Sequence, residues 1–110
     1  MDFNEYQLMC KSTAVFPGKD EGDIVYPTLG LTGEAGEVAE KVKKLIRDKG
    51  GVRDQEFIDG IGKEIGDVLW YVATLCTSLD IKMATVAHNN IIKLLDRKDR
   101  NVIKENGDER

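Results

Sequence analysis

The chain has few of the side chains that form soft metal sites or covalent cross-links. Its 110 residues include two cysteines and one histidine. Cys10 and Cys76 lie far apart in helix-like apolar patterns, and their spacing matches neither a zinc site nor a disulfide framework. We therefore expect both thiols to be reduced and buried. His88 stands in no Glu-x-x-His motif, which argues against a di-iron bundle of the ferritin type.

Long apolar runs and an excess of basic charge are also missing. No stretch reaches the roughly 20 apolar residues that span a bilayer, and the acidic start from Met1 to Glu5 lacks the features of a secretion signal. The chain has 20 acidic and 16 basic residues, whereas nucleic-acid-binding surfaces usually carry a basic excess. We expect a cytoplasmic protein that binds neither membranes nor nucleic acid. The absence of a Gly-x-x-x-x-Gly-Lys-Ser/Thr loop leaves a P-loop mechanism unsupported.

The dominant pattern in the chain is helical periodicity. Apolar residues recur at helical spacing over about residues 3–14, 28–48, 55–79 and 83–97, with Thr28 as a cap and Gly50-Gly51 as a stop. No segment alternates convincingly like a strand. We predict an all-α protein, a four-helix bundle in a single domain over residues 1–100, followed by a polar tail, residues 101–110, that frays.

Two acidic pairs interrupt the apolar pattern of the second and third predicted helices. Glu34 and Glu37 form one pair, and Glu64 and Asp67 form the other. Residues three apart share a helix face. The segment between the pairs is long enough for one helix to end and the next to return antiparallel, so the two pairs can face each other.

Four facing carboxylates require a positive charge between them. Like charges a few ångströms apart repel by several kcal/mol at an effective dielectric of about 20. An all-oxygen, anionic set of ligands suits a hard cation, and Mg²⁺ or Mn²⁺ is the usual partner of phosphate substrates. The acidic pairs therefore predict metal-assisted phosphate chemistry.

The acidic pairs also carry a resemblance to a known family. Glu34-x-x-Glu37 followed by Glu64-x-x-Asp67 resembles the signature of the MazG-like nucleoside triphosphate pyrophosphohydrolases, members of the all-α NTP pyrophosphatase group. Further matching segments are Tyr26 to Leu31, Lys43-Lys44, Tyr71 and Asn90 to Arg97.

This resemblance implies an activity and a set of site residues. The implied reaction is Mg²⁺-dependent hydrolysis of a nucleoside or deoxynucleoside triphosphate to the monophosphate and pyrophosphate, which controls nucleotide pools. The implied metal ligands are Glu34, Glu37, Glu64 and Asp67. Glu37 and Glu64 are the catalytic candidates, with Glu37 the first choice for general base. The implied substrate contacts are Lys44, Tyr71, Asn90, Lys93 and Arg97.

The resemblance has two further implications. Relatives assemble as dimers or dimers of dimers with active sites close to subunit contacts, which implies a homodimer or homotetramer. The first helix of relatives contributes to the nucleobase pocket, which makes Gln7 a candidate for reading the base; a solvated glutamine is the alternative.

Glycines accompany both acidic pairs. Gly33 and Gly36 flank the first pair, and Gly60, Gly62 and Gly66 surround the second. Each costs about 0.5 to 1 kcal/mol relative to alanine inside a helix. We interpret them as positions where two helix backbones, or a helix and a ligand, approach closely.

Two other functions stay open at the level of the sequence. One is a non-enzymatic helical adaptor, which would need no paired acidic residues. The other is a related all-α hydrolase that acts on a phosphoribosyl nucleotide or a nucleoside diphosphate. The reaction products and the response to Mg²⁺ distinguish these possibilities.

Overall fold

A computed structural model describes residues 1–110 and contains four helices and no strand. The helices are α1 (Phe3–Lys11), α2 (Val25–Lys49), α3 (Gln55–Ser78) and α4 (Met83–Asp99). The prediction of an all-α protein with four helices is confirmed. The helix boundaries differ from the predicted ones by one to three residues at most ends.

Side chains and one glycine fix several helix ends. The carboxylate of Asp2 accepts a hydrogen bond from the Glu5 amide at 2.8 Å, and that of Asp54 accepts one from the Phe57 amide at 2.9 Å. These bonds satisfy amides that have no partner inside the helix. Gly50 ends α2 in the left-handed conformation, with φ of 58°, as its position predicted.

The predicted start of α2 at Thr28 is wrong. The helix begins three residues earlier, at Val25, and Asp23 caps it by accepting hydrogen bonds from the amides of Val25 and Tyr26. Pro27 fits inside the first helical turn because a residue there needs no amide hydrogen bond. The proline is therefore compatible with a helix that begins at Val25.

The helices form an open arrangement around α3. α2 and α3 pack along each other as an antiparallel pair joined by a short turn, and α1 packs on α3. α4 contacts α1 and α3 but not α2. The Cα radius of gyration is 16.8 Å, whereas a compact chain of this length has roughly 13 Å.

The buried apolar cluster lies where α1, α3 and α4 meet. It consists of Cys10, Ala73, Cys76 and Met83. Trp70 packs against this cluster and donates a hydrogen bond from Nε1 to the Thr13 hydroxyl at 2.8 Å. Both cysteines are buried and free, as predicted.

A close approach to a glycine occurs at Gly30 rather than beside the acidic pairs. A Cβ atom at Gly30 would overlap the ring of Tyr71, so the helix α2 needs a glycine to pack against this ring. By contrast, nothing lies within 4 Å of a Cβ built at Gly33, Gly36, Gly62 or Gly66. Within one chain, the interpretation of those four glycines as close-packing positions is therefore wrong.

Much apolar surface stays exposed on the helices. Only 9 of the 110 residues are buried. The chain exposes 8031 Å², against roughly 6,100 Å² for a folded monomer of its mass. Large apolar side chains that are about half or more exposed occur on all four helices, among them Leu8, Leu29, Ile46, Ile58, Ile65, Ile91 and Leu95. None of the four helices combines the length and apolar character needed to cross a membrane.

The last ten residues fold back as turns against α4. The guanidinium of Arg110 donates hydrogen bonds to the main-chain oxygens of Val102, Ile103 and Gly107. Asp108 pairs with Lys93 and Arg97 on α4. Fraying of the tail stays a prediction; in the structure, Asp108 provides ion pairs between the tail and α4.

Candidate active site on helices α2 and α3

Three of the four predicted metal ligands come together between α2 and α3. Glu34 projects from α2, and Glu64 and Asp67 project from α3, one turn apart. One carboxylate oxygen from each residue lies within 4.8 Å of the others. We call these three residues the acidic group. Glu34 and Glu64 are half-buried, and Asp67 is exposed.

The acidic group carries uncompensated negative charge. None of its members forms an ion pair with a lysine or arginine. Partial burial raises the pKa of Glu34, and the negative charges of Asp67, Glu64 and Glu37 raise that pKa further. A cation bound between the three oxygens would remove this repulsion.

The donor set fits a hard divalent cation. Two oxygens bound to one Mg²⁺ lie at most roughly 4.2 Å apart, twice the Mg–O distance. The 4.8 Å limit within the acidic group therefore requires only a small side-chain adjustment. Carboxylate oxygens are also the ligands that Mg²⁺ and Mn²⁺ prefer.

Glu37 is not part of the acidic group. It lies one turn after Glu34 on the same helix and is exposed. Its charge still contributes to the raised pKa of Glu34, so its carboxylate is close to the group without sharing its contacts. This position leaves the Glu37 carboxylate open to solvent.

Tyr71 lies beside the acidic group and joins it to an aromatic cluster. Burial, the neighbouring Tyr26 phenol and the charges of Glu34 and Asp67 together raise the pKa of Tyr71. The rings of Tyr26 and Tyr71 are 6.4 Å apart, and Phe16 stacks on Tyr26 at 4.6 Å. Phe16 is buried, so it anchors the loop between α1 and α2 next to the site.

Comparison with known proteins identifies the family. The sequence model of the family described as the MazG nucleotide pyrophosphohydrolase domain matches residues 27–102, which include the whole acidic group. The chain belongs to the MazG nucleotide pyrophosphohydrolase family. It is also 48% identical to the Gene 37 protein of Mycobacterium phage L5 over the full length of both chains. No solved structure gave a significant match.

Lys44 lies in a groove that adjoins the acidic group. This open groove of about 780 Å³ runs between the second half of α2 and the first half of α3, and Glu64 forms part of its wall. Lys41 and Lys63 also line it. Lys44 pairs with Glu40 at 3.8 Å, while Lys41 extends toward Gly60. The groove therefore offers ammonium groups close to one end of the acidic group.

The three predicted substrate residues on α4 are not part of the site formed by α2 and α3. Asn90 is exposed, and Lys93 and Arg97 contact Asp108 in the tail. α4 does not contact α2, which carries Glu34. A single MazG chain thus holds the acidic group and the α4 cations on separate surfaces.

Gln7 has a structural role that the sequence did not predict. Its amide nitrogen donates hydrogen bonds to the Thr77 hydroxyl at 3.2 Å and the Ile81 carbonyl at 2.9 Å. Its amide oxygen accepts one from the Met83 main-chain nitrogen at 2.8 Å. The side chain therefore joins α1 to the turn between α3 and α4 and is not simply solvated. Its role in reading a nucleobase stays a prediction.

Sequence reasoning missed Asp23, Asp108 and the contact between Gly30 and Tyr71. Asp23 had no clear signal, because it precedes the N-cap residue Ile24 instead of occupying the usual capping position. Gly30 and Tyr71 both lie in segments that resemble the family, but their contact depends on how α2 packs against α3. Asp108 had no such signal, since its pairing with α4 depends on the path of the tail.

Proposed function

We propose that this MazG-family protein hydrolyses a nucleoside triphosphate, with deoxynucleotides the expected class, to the monophosphate and pyrophosphate in a Mg²⁺-dependent reaction. The observation that supports this most directly is the acidic group, whose three oxygens lie within 4.8 Å of one another on two paired helices. The family match includes all three residues. We place the reaction in the cytoplasm, where it would act on nucleotide pools.

The acidic group supplies the ligands in this proposal. Glu34, Glu64 and Asp67 hold the cation, and a bound Mg²⁺ supplies Lewis acidity toward the phosphoryl oxygens and offsets charge on the leaving pyrophosphate. Glu37, which is exposed beside the group, orients a water molecule and accepts its proton as the water attacks phosphorus. Glu64, the other catalytic candidate, acts as a ligand.

The substrate contacts surround this centre. In this proposal Lys44 binds phosphate oxygens, which is supported by its position in the groove between α2 and α3 that Glu64 also lines. Tyr71 binds the sugar or the first phosphate, which is supported by its position beside Glu34 and Asp67. Ammonium and phenol groups are suitable hydrogen-bond donors to these oxygens.

A second copy of the chain completes the site in this proposal. The chain exposes roughly 1,900 Å² more than a folded monomer of its mass would, and a standard interface buries roughly 800 Å² on each partner. Association as a homodimer or homotetramer would bury this excess. It would also let α4 of one copy bring Asn90, Lys93 and Arg97 to the phosphates bound by another copy.

The products of the reaction test the proposal. The protein is incubated with each common ribo- and deoxynucleoside triphosphate and Mg²⁺, and pyrophosphate and monophosphate are measured. We expect Glu34→Gln, Glu64→Gln and Asp67→Asn each to lower the rate by at least about a hundredfold, because each removes one charged ligand and keeps the side-chain shape. Glu5→Gln removes an exposed carboxylate of α1 outside the acidic group and the groove and should keep the parent rate.

Several outcomes would contradict the proposal. Release of free phosphate without pyrophosphate would indicate a different bond cleavage. Hydrolysis of a nucleoside diphosphate or a phosphoribosyl nucleotide in preference to every triphosphate would indicate the related hydrolase. An adaptor without a metal site would show no turnover and no change in melting temperature on addition of Mg²⁺.

A further inference from the structure

Arg97 is an unusual cation in this open structure. It is 3% exposed, although only 9 of the 110 residues are buried at all. Its Nε has no hydrogen-bond partner. A buried guanidinium is costly to leave without anionic partners, so this position on α4 is suited to hold an anion. Lys93, one turn earlier, adds a second, half-buried cation.

The chain's own tail supplies the anion at this position. The Asp108 carboxylate accepts hydrogen bonds from Lys93 Nζ at 3.1 Å and from an Arg97 terminal nitrogen at 3.0 Å. The same Arg97 nitrogen donates to the Asp108 main-chain oxygen at 2.8 Å. Hydrogen bonds from Arg97 and Lys93 hold the pKa of Asp108 below its usual range.

The two sides of this contact differ in how firmly they are held. The Arg97 side chain is 4% exposed, whereas the Asp108 side chain is 78% exposed. The tail has few anchors besides Asp108: the hydrogen bonds of the Arg110 side chain stay within the tail, and Arg100 binds the Arg110 main-chain oxygen at 2.6 Å. The Arg97 guanidinium is therefore held more firmly than the Asp108 carboxylate, which can leave into water.

We propose that Lys93 and Arg97 form an anion site for which the tail carboxylate of Asp108 and a phosphate group of the substrate compete. The identity of the competing ligand rests on the proposed function. One carboxylate oxygen now accepts from both cations, so a phosphate group cannot use the same donors until Asp108 leaves. A phosphate group carries more acceptor oxygens than a carboxylate and could also meet the free Nε of Arg97.

The competing residue lies outside the part of the chain that matches the family. The MazG match ends at residue 102, and Asp108 lies beyond it. The tail therefore lowers the apparent affinity of this position for every ligand that needs both cations, because Asp108 must leave before such a ligand binds.

Calorimetry with inorganic pyrophosphate, without metal, tests the competition in the full-length chain. We expect Asp108→Asn to bind pyrophosphate about threefold to tenfold more tightly than the parent, because the competing charge is removed. Glu109→Gln is the matched control: it removes the neighbouring tail carboxylate, which forms no ion pair, and should bind as the parent does. Lys93→Ala should weaken binding in both the parent and the Asp108→Asn background.

A second measurement follows the tail itself. In nuclear magnetic resonance spectra, saturating pyrophosphate should move the amide signals of residues 102–110 toward random-coil positions, because the tail leaves α4. Parent-like affinity in Asp108→Asn, or a tail that keeps its signals when pyrophosphate is bound, would overturn the competition. So would equal tightening by Glu109→Gln, which would indicate a general charge effect.

The two proposals fail separately. If no nucleoside triphosphate is hydrolysed but Asp108→Asn still binds pyrophosphate more tightly, the anion site stands and the proposed function fails. If pyrophosphate is released from a triphosphate and Asp108→Asn changes neither KM nor pyrophosphate affinity, the enzyme stands and the competition fails. When both stand, Asp108→Asn should lower KM for the triphosphate about threefold or more with kcat unchanged.

Discussion

The raised pKa of the Glu34 carboxylate reflects the negative charge of the acidic group. This pKa is raised by partial burial and by the charges of Asp67, Glu64 and Glu37. In the metal-free protein, the folded state therefore binds this proton more strongly than the unfolded state. The free energy of unfolding should fall as pH rises from the ordinary glutamate pKa through the raised value in the folded protein.

Replacing Glu34 by glutamine should remove much of this pH dependence. Urea unfolding of the metal-free protein, measured between about pH 4 and pH 7, gives the slope of stability against pH. We expect a more negative slope in the parent than in Glu34→Gln. When Mg²⁺ is added, the slope of the parent should become less negative. The control Glu5→Gln should keep the parent slope. Equal slopes in the parent and Glu34→Gln would mean that the acidic group is not under mutual repulsion.

Residues whose positions depend on local spacing were predictable from the sequence. Glu64 and Asp67 share a helix face because they are three residues apart, and the antiparallel return places Glu34 opposite them. Gln7 was not predictable, because its partners Ile81 and Met83 are remote in sequence and meet it only through packing. The same limit applied to Asp108, whose partners depend on the path of the tail.

The helical glycines of α2 and α3 differ in whether another side chain packs against them. Gly30 is in contact with the Tyr71 ring, whereas Gly62 faces open space within the chain. Helix propensity alone predicts that alanine stabilises both positions by about 0.5 to 1 kcal/mol. Packing predicts different outcomes at the two sites.

We expect Gly30→Ala to destabilise the protein by about 1 to 3 kcal/mol, because the added methyl group forces the Tyr71 ring or the helix to move. Gly62→Ala is the matched control and should be neutral or stabilising. Thermal and urea unfolding of both variants measure the difference. A stabilised Gly30→Ala would show that the Tyr71 ring moves aside without cost, and a destabilised Gly62→Ala would indicate that another chain packs at that position.

The periodicity of apolar residues predicted the four helices better than it predicted where each helix begins and ends. Gly50 stops α2 because only the left-handed conformation reverses the chain there, and this was predictable. The start of α2 was not, because Asp23 and Ile24 extend the helix past a proline that the first turn accommodates. The packing of the glycines within the chain was not predictable for a related reason: the sequence shows where a side chain is missing but not what lies opposite.

At the scale of the whole molecule, the exposed apolar surface predicts association. Ile91 and Leu95 lie one turn apart on α4 and are 55% and 52% exposed. We expect the 12.3 kDa chain to elute as a dimer or tetramer in size-exclusion chromatography with light scattering. The double variant Ile91→Glu, Leu95→Glu should shift the mass toward the monomer, because two buried charges would oppose an interface on this face.

A substitution away from the helices provides the control for association. Val15 is 88% exposed in the loop between α1 and α2, and Val15→Glu should keep the parent mass. A parent protein that is monomeric at micromolar concentration would contradict the association. It would also remove the proposed route by which α4 of one copy reaches the acidic group of another.

The position of the buried cluster has a consequence for the order of events during synthesis. Cys10 is made early, but the residues that cover it, Ala73, Cys76 and Met83, are made more than half a chain later. α1 has 9 residues, and a helix this short is marginal in water by itself. The nascent α1 therefore stays unstructured until α3 emerges, while α2 and α3 pair through contacts that are closer in sequence. The first helix of the chain is thus expected to be among the last to fold.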